Sequence, residues 1–232
     1  MSRSRDAHIL RGVVRGRPRT PTDAVGDTER ATSIMRIAIF GAPGSGKSHL
    51  AARLGSVLSL PVTHLDDLFW LSAWRECETG RFRDQVADVV SADAWVVDGN
   101  YSRVRDLVLG RATWTVAIDL PFWVNVWRVT ARSVGRRFGW EHVTPLPRQV
   151  QADGEPLLEA LRAFPPVIWR YRRGKLDAML DEIHAAGIPE ERRAVIRRQD
   201  DIQCLVRALS DATTTGLDRA GQSWTDDPAS ET

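Results

Sequence analysis

A chain of 232 residues with 43% hydrophobic and 27% charged residues and a formal net charge of +2 suits one globular domain with tails, or a core with a small insert. Its pI near 8.8 is too mild to argue for nucleic acid by itself, no apolar run reaches the length of a membrane span, and no signal-peptide core follows the basic start. Cys77 and Cys204 lie far apart without metal-ligand spacing and fit free thiols in a reducing cytosol, so the expected location is cytoplasmic.

Residues 1–34 mix Arg3, Arg5, Arg11, Arg15, Arg17 and Arg19 with Pro, Thr, Gly and Asp, without apolar periodicity. They read as a disordered leader, with a nucleic-acid arm or a targeting peptide as the alternatives. Met35 directly precedes the first strand, so translation starts either at Met1 or at Met35.

Arg36–Phe40 is the first predicted strand. It runs into Gly41-Ala42-Pro43-Gly44-Ser45-Gly46-Lys47-Ser48, which satisfies the P-loop pattern G-x-x-x-x-G-K-[ST]. Glycines let backbone N–H groups close around phosphate oxygens without Cβ clashes. Beyond it Leu50, Leu54 and Leu58 share one face of a helix over about 47–59. A helix opening at the loop turns its unpaired N–H groups, including that of His49, toward the same anion. Lys47 then reaches the β/γ-phosphates and the Ser48 hydroxyl holds Mg²⁺. Lys47 and Lys175 are the only lysines in an arginine-rich chain, and a compact ammonium is not interchangeable with a guanidinium at such a site.

A short second strand, Pro61–Leu65, leads to Asp66 and Asp67. Asp66 is expected to orient or deprotonate an acceptor hydroxyl, or to help hold Mg²⁺ through water, and His64 to be an ordinary half-buried strand histidine. Trp70 and Trp74 are placed to stack on a planar substrate. A helix near 81–92 carries Phe82, Val86, Val89 and Val90 on one face, and the buried strand Ala94–Val97 ends at Asp98-Gly99. Asp98 is expected to take a Mg²⁺-bound water beside Ser48. Gly99 is expected to permit close approach of a ligand, and Arg103 to grip a second phosphate.

A helix near 102–109 leads to the strand Thr113–Ile118, and a long helix follows Pro121 to about Phe138. Trp95, Trp114, Trp123 and Trp127 fit strand and helix patterns and are expected in the core. The long helix ends on Arg132-Ser133-Val134-Gly135-Arg136-Arg137. Residues 139–155, with Gly139, Pro145, Pro147 and Gly154, break the pattern and read as a short lid. Helix returns over about 155–184 and carries Arg170, Arg172 and Arg173. Two basic runs bracketing a Gly/Pro-rich cover suit the transfer of a charged phosphoryl group. Ala194–Ile196 is a last strand before a helix near 199–210, and residues 211–232 read as a disordered tail.

Strands alternating with helices over 35–210 predict an α/β fold of three layers, a parallel sheet with helices on both faces and its ligands at the carboxyl ends of the strands. With these residues in view, the chain resembles the small P-loop kinases of the adenylate kinase-like group, and within it the bacterial topology modulation protein family. The resemblance rests on GAPGSGKS (41–48), HLD (64–66) with Phe69-Trp70, Trp95–Ser102 and Ile118–Pro121, and spans about 36–175. It implies a P-loop NTPase fold, ATP with Mg²⁺, and an aspartate–glycine pair at 98–99. By similarity Arg132 lies on the adenine and Arg136 meets phosphates. Asn100-Tyr101-Ser102 departs from the adenylate kinase pattern after that glycine, which puts AMP as acceptor in doubt.

The expected activity is transfer of the ATP γ-phosphate to a nucleotide or other small acceptor. Lys47, Asp66, Arg136 and Arg170 are its catalytic candidates; Asp66, Gly99, Arg103 and Arg173 face the acceptor; Ser48 and Asp98 serve the metal. The alternative is a nucleotide-dependent regulator associated with DNA topology, for which the arginine leader is the only support. The expected assembly is a monomer or a homodimer.

Overall fold

The structure, a computed structural model, describes residues 35–140, 146–151 and 157–222. Five strands form one sheet: β1 (Arg36–Gly41), β2 (Val62–His64), β5 (Trp95–Asp98), β6 (Trp114–Ile118) and β7 (Arg193–Ile196). Their order is β2-β5-β1-β6-β7, and all four neighbouring pairs are parallel. Near-continuous apolar sequence is what a parallel sheet covered on both faces demands, and β1 and β5 are buried almost throughout.

Alternation along β1 divides the core. Ala38 and Phe40 point to one layer with Trp95, Val97, Phe82 and Val129, while Ile37 and Ile39 point to the other with Leu50, Leu54, Leu205 and Leu209. The second layer is formed by α1 (Lys47–Leu58) and α8 (Gln199–Gln222). The first is formed by α3 (Thr79–Ser91), α4 (Arg105–Arg111), α5 (Phe122–Arg137), α6 (Leu157–Arg170) and α7 (Leu176–Ala185). The architecture is a three-layer α/β fold, a parallel sheet with helices on both faces. Among the described residues no helix is long and apolar enough to cross a membrane, and Cys77 and Cys204 are free thiols.

Local chemistry explains several boundaries. The Glu78 carboxylate accepts the N–H groups of Gly80 and Arg81, so α3 starts at Thr79, ahead of the predicted start. Pro121 ends the β6 turn and its carbonyl accepts from Val124 and Asn125 as α5 begins. The predicted helix over 155–184 is two helices, because a π-type turn at Tyr171–Lys175 separates α6 from α7. The last helix runs to Gln222, past its expected end and into the stretch expected to be disordered; no proline occurs there before Pro228. The expected leader, residues 1–34, lies outside the described residues.

A small antiparallel hairpin was not foreseen: the five-residue helix α2 (Leu65–Phe69) leads to β3 (Trp70–Leu71), which pairs with β4 (Arg75–Glu76). Trp70 and Trp74 stack edge to face on each other at 5.5 Å. Trp123 and Trp127, expected in the core, are exposed on α5. The reason is that the face of α5 turned inward carries the small and polar residues Asn125, Val129, Ser133 and Gly135, which leaves Trp123 and Trp127 on the outer face.

Candidate active site

The P-loop connects β1 to α1 and is pressed against α5. A Cβ on Gly44 (φ +78) would stand 2.4 Å from the Asn125 carbonyl oxygen and 2.8 Å from Val129. Glycine is therefore required there by both conformation and space. Helix α1 begins at Lys47 behind Gly46, with no side-chain cap and no acid in its first turn. Its first N–H groups are thus available to an anion. Within the loop, the Ser45 N–H donates to the Ala42 carbonyl (3.2 Å), and the Lys47 ammonium arches back to the same oxygen at 3.0 Å. Ser45 is buried with its hydroxyl toward Gly41. His49 is exposed on α1, and Pro43 lies half-buried at the turn.

Parallel pairing brings the ends of β2 and β5 alongside the loop. Asp98 is the last residue of β5, buried, with Ile39 and His64 as its lateral neighbours in the sheet. The Ser48 hydroxyl donates to Asp98 Oδ2 at 2.7 Å, and His64 Nδ1 bonds the other oxygen, Oδ1. That hydrogen bond is the main reason the His64 pKa is raised above its ordinary value; burial opposes it, and the charges of Asp98, Asp67 and Asp66 add to it. His64 is therefore a member of the site and not the plain strand histidine expected. Its place two residues before Asp66, at the end of a strand beside Asp98, was the available signal.

Burial lowers the Lys47 pKa, while the charges of Asp98 and Asp66 raise it and that of Arg132 lowers it further. The ammonium thus feels all three partners that the sequence assigned to separate motifs. Asp66 opens α2 and is exposed, with the Tyr101 hydroxyl donating to its Oδ1 at 2.5 Å. Burial, then the Asp66 charge, pushes the Tyr101 phenol far above its ordinary range, so it is a permanent donor. Tyr101 is itself held by Phe69 (ring centroids 4.5 Å) and Phe82 (5.4 Å). Asp67 turns elsewhere: its Oδ1 accepts the Arg148 N–H at 2.9 Å. Val150 is fully buried, and the turn Arg148–Val150 packs on β3 and the Ser72–Trp74 turn. The second part of the expected lid is anchored on the hairpin; residues 141–145 and 152–156 lie outside the described residues.

Gly99 does not open space for a ligand. A Cβ there would meet the Leu65 side chain at 2.6 Å (φ +149), so this glycine lets α2 close against the end of β5. Arg103 is exposed, ion-paired with Glu76 at 3.0 Å and stacked over Phe69 at 5.5 Å. Behind it stands Arg105, which no sequence motif marks. This buried guanidinium holds Glu182 through both carboxylate oxygens (2.8 and 2.9 Å) and Asn100 Oδ1 (3.0 Å). It ties the loop after β5 to α7.

The arginines of α5 form a file. Arg128, one turn before Arg132, was overlooked; its Nη1 lies 3.7 Å from where a Cβ on Gly46 would stand, and its Nη2 donates to Gln199 Oε1 at 2.6 Å. Arg132 lies over the Phe164 ring at 5.9 Å, and Arg136 follows one turn on, half-buried. The spacing 128, 132, 136 was legible as one helical face. Of the second run, Arg173 stacks on Trp169 at 4.8 Å and Arg170 is exposed. Arg172 instead reaches the sheet edge, 3.7 Å from Asp119 Oδ1, while Arg197 stands 3.8 Å from Asp119 Oδ2. Asp119 directly follows β6, whose Ile118 pairs with Gly41.

The residues suit Mg²⁺. The hydroxyl–carboxylate pair Ser48–Asp98 offers hard oxygen donors beside the loop, and among the described residues no cluster of His, Cys, Asp and Glu forms an all-protein cage. Mg²⁺ is ordinarily held this way, by few protein oxygens together with phosphates and water.

No protein-family model matches the chain, and no curated protein matches it either. Among solved structures it is similar to shikimate kinase from Bacteroides thetaiotaomicron (14% identity, 76% of this chain and 97% of that one, TM-score 0.41). It is also similar to a gluconokinase from Sinorhizobium meliloti 1021 (16%, 82% and 98%, 0.40). A third is shikimate kinase from Acinetobacter baumannii in complex with shikimate (13%, 80% and 97%, 0.45). Identities and scores this low leave the functional reading to the residues of the site.

Proposed function

We propose that this protein is a Mg²⁺-ATP-dependent phosphotransferase that moves the γ-phosphate of ATP to a nucleotide or other small acceptor, in the manner of the adenylate kinase-like group. The observation that carries the reading is the convergence of Lys47, Ser48, Asp98 and Asp66 at one sheet edge, with Ser48 and Asp98 joined at 2.7 Å.

In this reading the triphosphate lies in the loop of residues 41–48, against the first N–H groups of α1, with Lys47 on its β/γ oxygens. Ser48 directly, and Asp98 through water, would hold Mg²⁺, which when bound neutralises charge on the β- and γ-phosphates. Arg132 covers the adenine and Arg136 meets the transferred phosphate. Asp66, oriented by Tyr101 on Oδ1, offers Oδ2 to an acceptor hydroxyl. The acceptor oxygen forms its bond to the γ-phosphorus as the bond to the β-bridging oxygen breaks, and its proton passes to Asp66. ADP and the phosphorylated acceptor leave. Arg172 is a better candidate for a phosphate contact than Arg170 or Arg173, since it lies at the strand ends beside Asp119.

Two observations favour an acceptor bound differently from AMP. Asn100 is engaged by Arg105 and Tyr101 by Asp66, so the stretch that departs from the adenylate kinase pattern is built into the site's wall. Arg103, a candidate for a second phosphate, is paired with Glu76. The regulator reading draws on residues 1–34, outside the described residues, and no described contact favours it.

The test is a screen of purified protein with Mg²⁺-ATP against nucleoside monophosphates, nucleosides and small hydroxylated metabolites, reading ADP formation. The proposal expects at least one acceptor to raise ADP release well above the rate with water alone. ATP binding with no acceptor-stimulated turnover across the panel would favour a regulator.

A further inference from the structure

The outward stripe of α5 is made of Trp123, Trp127, Thr130, Val134 and Phe138, spaced by four, three, four and four residues on one helical face. Trp123 is 76% exposed, Trp127 71% and Phe138 71%. At roughly 150–250 Å² per aromatic side chain, these three alone present about 450 Å² of apolar surface. An apolar stretch of that size, with the half-buried Thr130 and Val134 between its aromatic ends, is often functional on a folded chain. The helix has no acidic residue, and Arg128, Arg132 and Arg136 lie on a different face, toward the P-loop and α6. The stripe itself is therefore neutral until Arg137 at its edge.

Its pattern reads almost the same in both directions. Reversal about the midpoint between Thr130 and Ala131 carries Trp123 onto Phe138, Trp127 onto Val134 and Thr130 onto Ala131. A two-fold contact between identical surfaces has this property, each residue meeting its reversed counterpart. We propose that the occupant of this face is a second copy of the chain, its α5 lying antiparallel on the first across a two-fold axis at Thr130–Ala131.

The pairing sets each large side chain against a smaller or flatter one, Trp127 on Val134 and Trp123 on Phe138 of the other copy. The small residues Thr130 and Ala131 fall at the crossing, where axes must approach to about 8–10 Å. Antiparallel helix dipoles attract. Two copies bury about 900 Å² from the three aromatics alone, and Thr130, Val134 and the flanking residues carry the contact past the ~1,000 Å² of a specific interface. The nucleotide sites stay open, since the site arginines face away from the contact.

Sedimentation of the full chain between about 1 and 100 μM tests the proposal. Wild type is expected to sediment as a dimer in that range. Trp127→Glu should weaken association at least 100-fold while leaving ATP binding unchanged, and its melting temperature should lose the concentration dependence that dimerisation gives wild type. The register is tested in a Cys204→Ser background by mild oxidation. Thr130→Cys, beside the axis, should give a covalent dimer. Trp123→Cys should not, because it stands about 22 Å along the helix from its own copy (fifteen residues at 1.5 Å). A monomer throughout the range, a dimer that survives Trp127→Glu, or equal cross-linking at both positions overturns the pairing. So does dimerisation that appears only after residues 1–34 are deleted, which would assign the stripe to the chain's own leader. Binding of monomers to anionic phosphatidylserine vesicles, lost in Trp127→Glu, would assign it to a lipid surface.

Discussion

The Ser48 hydroxyl donates to Asp98 Oδ2 over 2.7 Å, joining the last residue of the P-loop motif to the last residue of a strand fifty positions later. The contact follows from topology. β1 pairs with β5 in parallel register, Ile39 beside Asp98, so the loop after one strand and the end of the other must meet.

Asp98→Asn keeps the size of the side chain but removes the charge that a metal-bound water requires. Turnover with Mg²⁺-ATP is expected to fall about 10- to 100-fold, as for groups that act on a metal through an intermediary. ATP affinity should change only a few-fold. A Mg²⁺ titration of the rate checks it: the half-saturating concentration rises in the variant. Wild-type turnover with unaltered metal dependence would reduce Asp98 to a partner of His64.

Much of this neighbourhood was legible in the sequence. The position of GAPGSGKS between a strand and a helix was legible from its spacing and glycines, and Asp66 and Asp98 stood at strand ends, where an α/β sheet collects ligands. What escaped was pairing between segments. Nothing local in Tyr101 or Arg105 says that one will orient Asp66 and the other hold Glu182 77 positions away. A glycine at position 99 signals that something approaches closely but not what approaches, and here it makes room for Leu65 and not for a ligand. Trp123 and Trp127 were misplaced because periodicity identifies a stripe and not the side of the helix that turns inward.

Tyr101→Phe removes the hydroxyl that holds Asp66 Oδ1. Asp66 is exposed and finds water instead, so stability should drop by only about 0.5–1.5 kcal/mol. The loss should fall on kcat, by about tenfold, a fraction of the 10²–10⁴ that a positioned base supplies. Steady-state kinetics with the acceptor found by the screen separate the two parameters. A variant altered only in KM would make Tyr101 a binding residue.

The pair His64–Asp98 predicts a pH dependence in the ligand-free protein. Because the folded-state pKa of His64 is raised above its ordinary 6.5, its contribution to stability is fully present below about pH 6.5. It is lost as the pH rises through the higher, folded value. The melting-temperature difference between wild type and His64→Gln should be largest at acid pH and shrink on going alkaline. A difference that is flat between pH 5.5 and 9 would mean that His64 gains no charge from its partner.

Arg136→Ala should lower turnover on the order of 10²-fold, in line with arginines that stabilise transferring phosphate. Arg137→Ala, its exposed neighbour, should leave turnover within a factor of two or so, which separates a specific contact from a general basic field. Equal effects of the two substitutions would assign the run to long-range electrostatics.

The central claim is that the loop of residues 41–48 holds the phosphates of ATP through Lys47. Titration calorimetry of Mg²⁺-ATP into wild type and Lys47→Ala tests it most directly, with thermal melts of both as the check on folding. The Lys47 ammonium meets Ala42 and the charges of the site rather than the apolar core, so the variant is expected to melt like wild type. It should show no measurable binding heat where wild type saturates. Wild-type affinity in a folded Lys47→Ala protein would contradict the account.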